Sequence, residues 1–226
     1  MKFHFSIGSA LGRSWQTFVR HTSFFAVMAF VMIIFNLFIN IHHNPWLVAL
    51  VSIAAIVWSY ISISASLAAA DGKEDILNFR SLSLYMPSFR QFFMTVIVAL
   101  TAVATTVIVF IPFLFLALFL SKTLLFSIPT VYLFVISSIP GLYVAIRLSL
   151  SIISYVDHQY GIGKSLRHSW QMTGTAFWTI LLVLLIEIAL MVLGSLFFFV
   201  GLLITYPLTM LFMAQFYRAL DAHNRA

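Results

Sequence analysis

Long apolar runs alternate with polar stretches along this chain, and the polar stretches are by turns short and long. Six runs reach the roughly 18 residues that separate a spanning helix from a buried core helix, at about 22–41, 46–70, 92–119, 124–149, 176–196 and 200–220. "HHNP" (42–45), "SKT" (121–123) and the uncharged stretch near 196–200 are predicted tight turns. Residues 71–91 and 150–175 are longer polar connections. The ~10-residue alternating segments of a membrane β-barrel are absent. The pattern predicts an all-α polytopic bundle of six transmembrane helices in three hairpins, forming a single integral membrane domain over residues 1–226.

A helical period also runs through the polar stretches. "IGSALGRSWQ" (7–16) returns as "IGKSLRHSWQ" (162–171), with six of ten positions identical at an offset of 155 residues. Ile7, Leu11, Trp15 and Phe18 form one stripe, with Ser9, Arg13, Gln16 and Arg20 elsewhere. The second copy places Ile162, Leu166 and Trp170 alike, with Lys164, Arg167 and Gln171 on the polar side. Each copy is expected to be an amphipathic helix lying in the membrane interface ahead of a span. The first and third hairpins then look like two versions of one unit. A further basic-aromatic segment, "ILNFRSLSLYMPSFRQFF" (76–93), leads into the middle hairpin without the Ser-Trp-Gln phrase. Trp15, Arg13, Trp170, Arg167 and Lys164 form a candidate cytoplasmic interfacial surface, either as ordinary aromatic-belt anchors or as a partner or lipid site.

Composition sharpens the class. The chain is 62% hydrophobic and 8% charged, with a mean hydropathy of +1.07, against about 25% charged residues in soluble domains. With no cysteine, disulfides, thiolate metal sites and cysteine nucleophiles are excluded. The first apolar run is too long for a signal-peptide core and is expected to stay as a span. The net charge of +6 comes from dispersed residues, which favours anionic headgroups over nucleic acid as the partner. Eleven of the twelve Lys and Arg residues fall on one side of the expected topology, leaving Lys122 alone on the other. The positive-inside bias then puts both termini in the cytoplasm.

Inside the spans, Glu187 stands out in "LLVLLIEIAL". Eleven residues into its helix, it lies about 16 Å deep at 1.5 Å per residue. A carboxyl group there is expected to face the bundle interior, pair, or be protonated. Arg147 is the candidate partner. Pro112, Pro140 and Pro207 interrupt spans, either as kinks healed by packing or as openings that line a cavity; Pro140 followed by Gly141, with Ser137 and Ser138 beside it, is the strongest candidate for an opening. Ser52, Ala55, Ser59, Ser62, Ser66 and Ala69 recur at 3-4-3-4-3 spacing as a helix-packing seam. Catalytic motifs (HExxH, GxSxG, a Walker loop) do not occur, and His42 and His43 are adjacent rather than i, i+4.

"GIGKSLRHSWQMTGTAFW" (161–178) and "GLLITYPLTMLFMAQFYRAL" (201–220) carry a resemblance. Ser169-Trp170, Gly201-Leu202-Leu203 with Pro207, and the closing Tyr217-Arg218 resemble a broad group of bacterial multipass proteins. That group is similar to the membrane domain ahead of some glycerophosphoryl diester phosphodiesterases. The resemblance implies a bacterial inner-membrane location and a six-helix bundle; the phosphodiesterase catalytic domain is missing, so no hydrolase activity carries over. The expectation is a non-enzymatic protein, without cofactor or metal, that binds a partner protein, lipid or second copy of itself in envelope assembly or membrane homeostasis. The alternative is a small proton-linked transporter or channel using Glu187 and a break at Pro140-Gly141.

Overall fold

A computed structural model describes residues 5–123 and 130–225. They form nine α-helices and two short 3-10 segments, with no strand among the described residues. The helices are α1 (Ile7–Arg20), α2 (Thr22–Ile41), α3 (Pro45–Ala70), α4 (Phe89–Thr123), α5 (Thr130–Leu148), α6 (Ser151–His158), α7 (Ile162–Thr175), α8 (Phe177–Leu196) and α9 (Phe198–Arg225). Six helical stretches are long and apolar enough to cross a membrane, the fourth being α5 carried on through α6. The chain is a multipass helical bundle in which α2 with α3, α4 with α5, and α8 with α9 pair as hairpins.

Local chemistry sets the helix ends. Pro45 opens α3 behind an Asn44 cap whose side chain accepts from the Trp46 N–H, an arrangement suited to a first turn with orphan donors. Gly72 closes α3 at φ +73°, a conformation that costs glycine least. At the far hairpin, a Cβ on Gly201 would collide with the Gly194 carbonyl, and one on Gly194 with Thr205. These two glycines let α8 and α9 touch backbone to backbone around Phe197.

The doubled phrase has a geometric counterpart. Helices α1 and α7 are each 14 residues long, α2 and α8 each 20, and each pair is displaced by 155 positions (162 − 7, 177 − 22). The joints match too: His21 has φ −119° and ψ 35°, and Ala176 has φ −132° and ψ 29°. Thr22 Oγ donates to the Phe18 and Val19 carbonyls, occupying the acceptors that end α1.

The segments ahead of the hairpins are held differently, and one expected turn is replaced by helix. The residues buried on α1 are Ala10, Ser14, Thr17 and Phe18, whereas Trp15 on the expected apolar stripe is 48% exposed. Small side chains let α1 lie close on α9, where Phe5 stacks edge-on against Phe216, and Trp15 is pushed outward. The segment before the middle hairpin is 3-10 at Glu74–Ile76 and Phe79–Tyr85 and is held by burying Leu77 and Tyr85. The 121–123 turn falls within α4. Lys2 and the start of the fourth span at 124–129 lie outside the described residues, as does the Lys122 side chain.

Helix α9 is the hub, packing on α1, α2 and α3 as well as α8. Phe212, Phe216, Tyr217 and Leu220 build one core with Ala10, Val98, Leu150, Tyr155 and Met172. Leu211, on another face, joins Phe24, Phe25, Met28, Ile61 and Ala65 in a second.

Candidate functional site

Two polar assemblies interrupt this apolar bundle, one within the spans and one at the end where α3, α6 and α9 finish. The first is centred on Glu187. Its carboxyl group borders a cavity of about 360 Å³ between α3, α6, α8 and α9, lined by Ile63, Ser149, Ile152, Met191, Tyr206 and Thr209 among others. Met191 and Tyr206 also line a second cavity, of about 290 Å³, that reaches Asn36 and Asn40 on α2. A groove along α8 past Ile188, Met191 and Ser195 meets the carboxyl from the other side. Glu187 has no hydrogen-bond or ion-pair partner among the described residues.

The expected partner is elsewhere. The Arg147 guanidinium lies 4.5 Å from the Trp170 ring and 5.7 Å from Tyr143. It is seated over Gly174, where a Cβ would come within 2.6 Å of it. Aromatic faces and a missing side chain draw Arg147 to α7, so it does not reach Glu187. Nor does the chain open at Pro140: α5 runs through it from Thr130 to Leu148. Gly141 is used for packing, since a Cβ would stand 3.1 Å from Phe110 on α4. Ser137 and Ser138 donate to the Phe134 and Val135 carbonyls at 2.8 and 2.7 Å. The break falls instead at Ser149-Leu150, where α5 gives way to α6.

On α3, Ala55, Ser62, Ser66 and Ala69 are buried, and Ser52 and Ser59 are half-buried. The Ser59 and Ser62 hydroxyls return to the Ala55 and Trp58 carbonyls, while Trp58 Nε1 donates to Met28 on α2 at 2.9 Å. The interfacial residues are unequal. Ser169 donates to the Arg147 carbonyl at 2.9 Å and Thr173 joins it at 3.1 Å, which stitches α7 to the end of α5. The equivalent Ser14 hydroxyl is buried without a hydrogen-bond partner among the described residues. Arg13 and Arg167 are exposed, and Lys164 sits 4.8 Å over the Tyr160 ring. Trp170 is held by Arg147 and Tyr143, while Trp15 meets only its helix neighbour Phe18 among the described rings.

The second assembly was not anticipated from sequence. Arg218 on α9 faces Asp71, with Nε at 2.7 Å from Oδ1 and Nη2 at 2.8 Å from Oδ2, and reaches Asp157 Oδ2 through Nη1 at 2.6 Å. Such charge-assisted pairs are the strong members of their class. Tyr217 donates to Asp157 at 3.2 Å. Beyond them His158, His168 and Arg225 gather around Asp221. Burial holds the His168 imidazole below the usual histidine range against the opposing pull of Asp221. Gln159, at φ 51°, makes the left-handed turn that brings α6 and α7 together here. Charge counting by Lys and Arg alone passed over these acids, although Asp71, Asp157 and Asp221 all sit beside the basic segments.

Compared with family models, curated proteins and solved structures, the chain matches none.

Proposed function

We propose that this protein is a non-enzymatic membrane bundle that binds a lipid or other amphiphile in the crevice at Glu187. The carrying observation is the meeting of two apolar-walled cavities at Met191 and Tyr206, one of them bordered by an unpaired carboxyl. An apolar wall with few polar groups is the usual character of a ligand site. Glu187 then supplies the ionisable contact that orients the occupant, among a few neutral polar groups such as Tyr206 and Thr209.

The charge distribution supports a cytoplasmic location for both termini, with α1 and α7 on the inner leaflet against anionic headgroups. The equal helix lengths at the 155-residue offset support descent of the first and third hairpins from one unit. The sequence resemblance supports a bacterial inner membrane and a role in envelope assembly or membrane homeostasis. The lone carboxyl also favours a second reading, proton-linked transport.

Lipid extraction from the purified protein separates the two. Under lipid binding, one lipid class is enriched over bulk membrane and Glu187→Gln loses the enrichment, with no proton flux in liposomes. Proton flux abolished by Glu187→Gln, without enrichment, would establish transport instead.

A further inference from the structure

The assembly at the end of α6, α7 and α9 has its own chemistry, separate from the crevice. His158 Nε2 lies 3.6 Å from Asp221 Oδ2, and His168 Nε2 lies 3.4 Å from Asp221 Oδ1. One ligand atom from each of the three residues falls within 4.8 Å of the others. Four ligands at roughly 2.0–2.1 Å around a tetrahedral ion stand about 3.3 Å apart, close to the two His–Asp separations. Asp221 is 4% exposed, and its Oδ1, facing His168, accepts no hydrogen bond. A buried carboxylate oxygen is expensive to leave without a donor or a cation.

The imidazoles are oriented for a cation. Ser154 Oγ lies 2.9 Å from His168 Nδ1; a proton held on Nδ1 by that contact leaves the Nε2 lone pair pointing at Asp221, the support a metal-bound histidine usually has. The cation already nearest is the Arg225 guanidinium, with Nη2 at 2.6 Å from Asp221 Oδ2 and 3.0 Å from His158 Nε2. A guanidinium can only donate, so His158 with Nε2 unprotonated accepts from Arg225, and that lone pair is released to a metal ion when Arg225 leaves. The Arg225 side chain is 61% exposed and free to swing away. Asp157 Oδ2, 3.2 Å from His158 Nε2, is already engaged by Tyr217 and Arg218.

We propose that His158, His168 and Asp221 bind a divalent transition-metal ion, Zn²⁺ by donor type, with Arg225 as the group it displaces. Two imidazoles and a carboxylate suit zinc, and a fourth position is left for water. Ca²⁺ and Mg²⁺ require more oxygen ligands than the cluster offers. The ion would tie α6, α7 and α9 at one point and rigidify that end of the bundle.

The test is calorimetric titration of Zn²⁺, with Ca²⁺ in parallel, into the full-length chelator-treated protein in detergent. The expected result is one Zn²⁺ per chain at micromolar or tighter affinity and no Ca²⁺ binding. His168→Gln and Asp221→Asn should each weaken it at least tenfold. Arg225→Ala should tighten it, because it removes the competing cation, and a purely structural ion pair would not respond in that direction. If Asp221→Asn fails to fold, the half-buried His168→Gln decides. Absence of binding, binding unchanged in His168→Gln, or binding lost in His42→Ala/His43→Ala would overturn the proposal.

Discussion

Asp71, Asp157 and Asp221 at one end of the bundle and Glu187 within it are four of the six acidic residues of the chain, and they are treated in opposite ways. The three aspartates share Arg218 and Arg225 at 2.6–2.8 Å. Short helices and tight turns, notably Gly72 and Gln159, aim them at one another. Glu187 has no such partner among the described residues, and it lines a cavity and the groove along α8. Asp71 and Asp157 are surrounded by donors, as an acid needed for stability is, and Asp221 is satisfied at Oδ2 alone. An acid left beside a cavity is available to something outside the chain.

The largest expected effect tests the closed region. Arg218→Ala strands the largely buried Asp157 carboxylate and releases the exposed Asp71; with one partner this exposed the cost is about 3 kcal/mol, the low end for breaking a buried pair. Thermal unfolding in detergent should show a large fall in midpoint, only partly recovered by Arg218→Lys because a lysine cannot present a fork. A variant that melts like the parent would mean the network does not hold this end together. Next comes the hairpin that shapes the crevice: Gly201→Ala drives a methyl into the Gly194 carbonyl, an overpacking worth roughly 1–3 kcal/mol. Its midpoint should fall less than that of Arg218→Ala but clearly.

The paired tryptophans sharpen the contrast between built and idle positions. Trp170→Ala removes the face under Arg147, a cation–π contact of ~0.5–2 kcal/mol. Trp15→Ala should stay within about 0.5 kcal/mol, as exposed substitutions do. Equal effects would argue that the two copies of the phrase are used alike. Smallest of all, Glu187→Gln should shift stability by less than ~1 kcal/mol, since no partner is lost. Strong destabilisation there would place Glu187 among the structural acids and erase the difference between the two regions.

Much of the fold was legible because spans announce themselves by apolar length. The runs 22–41 and 176–196 agree with α2 and α8 to within a residue. The joints of α1 and α7 were marked by the doubled phrase. The break at Ser149-Leu150 was not, because it lies in an apolar stretch while Pro140 nearby drew attention. A proline inside a packed helix is healed by its neighbours, and the close approach of Phe110 to Gly141 shows α4 packed on this stretch. Glu187 was legible as an isolated acid deep in a span, although pairing, protonation and a functional role were all open from sequence; the structure puts it beside a cavity with no partner among the described residues. The aspartate-histidine cluster was not, since its members come from positions 71, 157, 158, 168 and 221. Only the folding of α3, α6, α7 and α9 to one end assembles it.

Native mass spectrometry of the detergent-solubilised protein tests the central claim most directly. The parent should retain one amphiphile per chain under mild activation. Met191→Trp, which fills the junction of the two cavities, should release it. Ile108→Trp, on the exposed face of α4, should not. Retention in Met191→Trp equal to that of the parent, or no bound amphiphile in the parent, would contradict a lipid site at Glu187.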